Sequence, residues 1–154
     1  MARPKTPALA VDIIIALTDR PGDPVVLIER RNPPHDGYAL PGGFVDVGER
    51  LERAAIREAR EETGLTVRLT ALLGCYSDPH RDPRGHTVSV VYTAEATGTP
   101  RAMDDAKELD IYPPEHPPSP LTFDHALILQ DYLRFRTRGE LPPPRSEDHA
   151  GDRL

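Results

Sequence analysis

Apolar residues along this chain gather into short β-branched runs and into two stretches with helical spacing, and that contrast predicts the layout. Residues 11–17 and 25–28 are rich in Val and Ile and flank Asp19-Arg20-Pro21-Gly22-Asp23-Pro24, a cluster of turn formers, so they read as a hairpin. The polar segment Arg30-Arg31-Asn32-Pro33-Pro34-His35-Asp36-Gly37 follows, and its prolines argue against regular structure. In Tyr38-Ala39-Leu40-Pro41-Gly42-Gly43 the glycine pair predicts a backbone that bends sharply or meets a ligand. Residues 51–63 are strong helix formers without Gly or Pro, and Gly64 stands where a left-handed cap would end that helix. Residues 65–76 and 87–96 read as strands, and the long polar loop between them, Ser77-Asp78-Pro79-His80-Arg81-Asp82-Pro83-Arg84-Gly85-His86, needs a reason to exist. A short strand is expected at 108–112 and a second amphipathic helix at 123–136, through Leu127, Ile128, Tyr132, Leu133 and Phe135. Strands interleaved with two helices give an α/β domain in which helices cover a mixed sheet. The expected division is a loose start over residues 1–9, a folded unit over 10–138, and a proline-rich, disordered tail over 139–154.

Composition narrows the picture only a little. A chain of 154 residues suffices for one domain with a real core. The net charge of −6 argues against a nucleic-acid polymer as partner, since binding a phosphate backbone needs a concentrated basic surface. A small anionic nucleotide is still compatible, because a few arginines and bridging divalent cations overturn the local field. Cys75 is the single cysteine, so no intrachain disulfide can form. Residues 1–10 lack the apolar stretch of a secretion signal and no run approaches membrane-spanning length, which makes the cytoplasm the expected setting.

The chemistry concentrates in the first helix. Glu58, Glu61 and Glu62 stand at i, i+3 and i+4, which places three carboxylates within an arc of roughly 100°. Such a face is either a solvated surface balanced by Arg53, Arg57 and Arg60, or a site for hard divalent cations. The glutamates follow the side of Leu51, Ala54 and Ala55, while Arg53 and Arg60 point largely away; ionised groups at the edge of a core are rarely left unpaired, which favours the cation. Gly42 and Gly43 would let backbone carbonyls approach the same ion. Mg²⁺ or Mn²⁺ bridging a pyrophosphate there would neutralise it and activate water for hydrolysis of a P–O–P bond.

The segment Gly43-Phe-Val-Asp-Val-Gly-Glu49-Arg-Leu-Glu-Arg-Ala-Ala-Ile-Arg57-Glu58-Ala-Arg-Glu61-Glu62-Thr-Gly64-Leu65 resembles the Nudix box, G-x5-E-x7-R-E-U-x-E-E-x-G-U, at every fixed position. The resemblance implies an α/β/α sandwich with a mixed β-sheet between helices. It implies Glu58, Glu61 and Glu62 as metal ligands, Gly42 as the donor of a backbone carbonyl, and Arg57 with Glu49 as an orienting ion pair. Departures are Arg50, where many members place a Ser or Thr N-cap, and Arg53, where a capping-box glutamate would stand. Outside the box, Arg30-Arg31-Asn32-Pro33-Pro34, Tyr76 to His86, Asp104-Asp105-Ala106-Lys107-Glu108 and Phe123-Asp124-His125 are similar to the ADP-ribose pyrophosphatase branch. That likeness assigns Arg31, Arg81, Arg84 and His86 to the substrate, the alternative for the last three being that they order their own loop through Asp78 and Asp82. Glu108, or Asp105, is a candidate for an extra catalytic carboxylate, with a plain surface charge as the alternative. Asp124 and His125 either cap the last helix or touch the ligand.

The expected reaction is hydrolysis of ADP-ribose to AMP and ribose 5-phosphate. The alternatives are sanitation of oxidised nucleoside triphosphates, cleavage of another sugar nucleotide or dinucleoside polyphosphate, and, in another class, an ADP-ribose-binding sensor without turnover. The intact glutamates, and a proline-rich stretch after the second helix too short for a winged helix, argue against the sensor. Related enzymes are often dimers, so a homodimer is an expectation carried by the resemblance alone.

Overall fold

The computed structural model describes residues 2–30, 36–103 and 107–146. Strand β1 (Ala8–Leu17) organises it. Val11, Ile13, Ile15 and Leu17 are buried on one face and Ile14 on the other, which explains an apolar run too continuous for a half-exposed strand. The acidic member of that run, Asp12, falls by two-residue alternation on the face of Ile14. Along one edge β1 pairs in parallel with β6 (Thr87–Ala96) over its whole length, from Ala8↔Thr87 to Leu17↔Ala96. β5 (Arg68–Tyr76) lies antiparallel outside β6.

The other edge of β1 is shared. Its last turns meet β2 (Val25–Arg30) at Ala16↔Val25, whereas its first half pairs with β4 (Gly42–Phe44) through Ala10↔Phe44, Val11↔Gly43 and Asp12↔Gly42. β2 instead carries β3 (Gly37–Ala39) where it leaves β1, and β7 (Lys107–Tyr112) on its far edge. The mixed sheet therefore forks between β1 and β2, and the chain crosses the fork at the buried residues Leu40 and Pro41.

Each face of the sheet is covered by one helix. α1 (Leu51–Thr63) packs Ala54, Ala55 and Ala59 against Val11, Ile13, Ile15, Val90 and Tyr92. Alanine at the contact lets the helix approach the sheet closely, and each fully buried Ile contributes about 1.5–3 kcal/mol. Gly64 ends α1 in the left-handed conformation (φ 73°) with its N–H on the Arg60 carbonyl, as expected, and Arg50 at the other end makes no side-chain cap. α2 (His125–Arg138) packs Ile128, Leu129 and Tyr132 against Ile14, Val25, Leu27, Leu73 and Val91. The result is the α/β/α sandwich.

Three expectations are corrected. The strand read from residue 65 begins at Arg68, because Leu65 and Val67 first bury themselves beside α1. The second helix begins at His125, two residues later than read, since Phe123 takes φ 55°, and the side chain of the N-cap residue Asp124 makes no cap bond. The tail is not loose from residue 139: Arg145 forks onto Asp131 of α2 at 2.6 and 2.9 Å, and Asp131 also accepts the Tyr76 hydroxyl at 2.7 Å. Residues 147–154, and the expectations placed on Arg31 and Asp105, lie outside the described residues.

Candidate active site

Gly42 and Gly43 lie between β1 and α1 with no room for a side chain. A Cβ on Gly42 would strike the Val11 carbonyl oxygen and the Asp12 carboxylate, and one on Gly43 would lie 2.5 Å from the Glu58 carboxyl group. The β1–β4 ladder bonds Ile13 N–H to the Pro41 oxygen and Val45 N–H to the Leu9 oxygen, so the intervening Gly42 turns its N–H and carbonyl away from β1. On that side the Gly42 N–H donates to Glu62 Oε2 at 3.0 Å. Glu62 is buried, so this bond helps offset the cost of keeping a carboxylate from water.

Arg57 gathers the remaining acids. Its Nε and Nη2 fork onto Glu49 at 2.7 and 2.8 Å, Nη1 donates to Glu58 at 2.8 Å and Glu61 at 3.2 Å, and Nη2 also reaches the Phe44 carbonyl at 3.1 Å. The hydrogen-bonded fork holds the Glu49 carboxyl down at about 2. Glu58 moves the opposite way: burial, reinforced by the charges of Glu62 and Glu61, raises it despite Arg57. Among the described residues no three acidic, His or Cys side chains already converge on one point. The set nevertheless fits a divalent cation: Arg57 Nη1 is a positive group shared by Glu58 and Glu61, Gly43 leaves space against Glu58, and Gly42 directs its backbone to the same side.

On the α2 face the same glycines border a cleft of about 440 Å³ including its open mouth, with Asp12, His125, Arg84, Phe44 and Phe123 among its walls. Burial alone would raise Asp12; His125, the Ser89 hydroxyl and Arg81 reverse this and hold it below the usual carboxylate range. Ser89 donates to Asp12 Oδ2, and His125 Nε2 stands 3.7 Å from the same oxygen. Arg84 lies over both Phe44 and Phe123, at 5.6 and 5.5 Å from the ring centroids.

The NUDIX domain family model matches residues 6–132. The chain belongs to the NUDIX domain family. It is 46% identical over 132 residues to the ADP-ribose pyrophosphatase of Methanocaldococcus jannaschii, covering 84% of this chain and 75% of that protein. Among solved structures it resembles a MutT/nudix family protein from Enterococcus faecalis, with TM-score 0.73, 29% identity and coverage of 93% and 67% of the two chains. It also resembles the NUDIX domain of Shewanella oneidensis NrtR in complex with ADP ribose, with TM-score 0.72, 27% identity and coverage of 86% and 90%. Nudix hydrolases are in general dependent on divalent metals.

Of the residues the Nudix resemblance assigned, Glu49, Arg57, Glu58, Glu61, Glu62 and Gly42 come together as described. Arg84 lines the cleft, its guanidinium also paired with Asp82 at 2.8 Å. Arg81 also lines the cleft, but its side chain is only 3% exposed and forks onto Asp124 at 2.7 and 2.9 Å, so it anchors the 77–86 loop to the start of α2. The same pairing removes the Asp124 carboxylate from capping. His86 Nε2 lies 3.1 Å from the Ser77 carbonyl, so the ring braces the loop's two ends. Glu108 pairs in register with Glu29; Leu109 faces α1 and Tyr112 faces α2, so alternation turns Glu108 to the α2 face, away from the α1 glutamates. The residue the sequence reading missed is Asp12, although an acid interrupting Val-Asp-Ile-Ile-Ile was the available signal.

Proposed function

We propose that this Nudix pyrophosphohydrolase converts ADP-ribose and water to AMP and ribose 5-phosphate. The observation that carries the reading is the intact Glu58, Glu61 and Glu62 set beside a cleft at Gly42–Gly43, in a chain 46% identical to an ADP-ribose pyrophosphatase. Glu58, Glu61 and Glu62 would hold Mg²⁺ or Mn²⁺ together with the Gly42 carbonyl, and the cation supplies charge neutralisation of the pyrophosphate and acidification of water. Arg57 and Glu49 fix the helix face from which the carboxylates project. Exposure favours Glu61 as acceptor of the attacking water's proton, since its side chain is 58% exposed whereas Glu62 is committed to the Gly42 N–H. The Arg84 guanidinium at the cleft rim is placed to meet the substrate's phosphates or ribose. A homodimer and a cytoplasmic setting belong to the same reading on family grounds.

The test is chromatography of phosphate products from ADP-ribose, 8-oxo-dGTP and diadenosine polyphosphates, with Mg²⁺ and with chelator. Metal-dependent AMP formation from ADP-ribose above all other turnover supports the reading. Preference for another substrate moves the assignment within the family, and binding without turnover favours a sensor module.

A further inference from the structure

The 120–125 segment grips β3 in the manner of a short parallel strand. Tyr38 N–H donates to the Pro120 oxygen and Thr122 N–H donates to the Tyr38 oxygen, both at 2.9 Å, around a parallel bridge between Tyr38 and Leu121. The next bond of such a ladder would run from Leu40 N–H to the Thr122 oxygen. That oxygen instead accepts the His125 N–H as the chain turns into α2. Leu40 N–H goes to His125 Nδ1, at 3.0 Å, so a side chain takes the place of the missing backbone acceptor. Acceptance at Nδ1 puts the proton of the neutral ring on Nε2, which faces Asp12 Oδ2.

Leu40 begins the crossing of the forked sheet, and Gly42 ends it two residues later against Glu62. The crossing is thus held at one end by His125 and at the other by a candidate metal ligand. We infer that His125 is a positioning residue for the divalent-cation site: by accepting the Leu40 N–H it sets where the Gly42 backbone, and through it Glu62, stands. This rests on the reading of the α1 glutamates as metal ligands, not on which substrate is cleaved.

The experiment compares His125→Asn, His125→Gln and His125→Leu with the native chain, measuring Mn²⁺ affinity by electron paramagnetic resonance without substrate and thermal unfolding in chelator. An asparagine carbonyl reaches the position of Nδ1, whereas a glutamine carbonyl falls near Nε2. Mn²⁺ binding is expected to weaken about tenfold or more in the Gln and Leu variants and to stay within about threefold of native in the Asn variant. If the Leu variant does not fold, the Asn and Gln pair decides. Equal Mn²⁺ affinity in Asn and Gln overturns the inference, as does a ¹⁵N spectrum placing the His125 proton on Nδ1. A native chain that binds no Mn²⁺ sinks the metal reading itself, and a chain that binds Mn²⁺ but leaves ADP-ribose intact sinks only the substrate.

Discussion

The two faces of the sheet handle buried charge differently. On the α1 side Glu58 and Glu61 are close in sequence and share one arginine near the surface, so their geometry follows from helical spacing and can rearrange around a cation. On the α2 side Asp12, Ser89 and His125 come from three distant segments and meet in a buried network whose bonds leave little latitude. The first arrangement suits chemistry that needs movable ligands, and the second suits holding a backbone in place.

The largest effect should come from the movable side. Glu61→Gln or Glu58→Gln should lower kcat for ADP-ribose about 10²–10³-fold while changing the melting temperature little, a comparison read by product chromatography and calorimetry. Unchanged turnover would remove these carboxylates from the reaction. On the rigid side, Asp12→Ala should cost about 2–4 kcal/mol in urea unfolding, because the buried Ser89 hydroxyl loses its acceptor and His125 the carboxylate facing its Nε2. A loss below about 1 kcal/mol would mean the network is not rigid after all.

The glycines sharpen the contrast within two adjacent residues. Gly42→Ala collides with backbone and should destabilise by about 1–3 kcal/mol. Gly43→Ala meets only the end of the Glu58 side chain, so its effect should appear in Mn²⁺ affinity more than in stability. Acid titration gives a smaller signal. Glu49 is depressed to about 2 by the Arg57 fork, so its contribution is complete above the ordinary glutamate value near 4.5 and disappears as pH falls through about 2. Thermal melts of Glu49→Gln across that window should lack the corresponding acid-side slope. Arg84→Ala should be the mildest in turnover, raising KM severalfold, with a stability loss of about 1–3 kcal/mol because the buried Asp82 carboxylate loses the guanidinium forked onto it.

Legibility follows the same divide. The bounds of α1 and its Gly64 cap were readable because helix propensity, glutamate spacing and the cap all lie within one short segment. The Arg57–Glu49 pair was readable only through family resemblance, since Glu49 precedes the helix. The Arg81 fork was not legible because its partner, Asp124, is remote in sequence while Asp82 is its neighbour. The side of the sheet that Glu108 faces was not legible because it depends on strand register, which the local pattern of β7 does not specify. The fork at Leu40 and Pro41 depends on β1 sharing one edge between two strands, a property of the assembled sheet rather than of any segment.

The ten-residue parallel pairing of β1 with β6 bears on how the molecule is made. Parallel neighbours cannot form by a local hairpin, and closing a long loop comes before the contacts that reward it. During synthesis the Ile13-Ile14-Ile15 stripe therefore leaves the ribosome long before Tyr92, Thr93 and Ala94, its partners, exist. Until they emerge, β1 is an apolar ribbon with one vacant edge, and the sheet stays incomplete there.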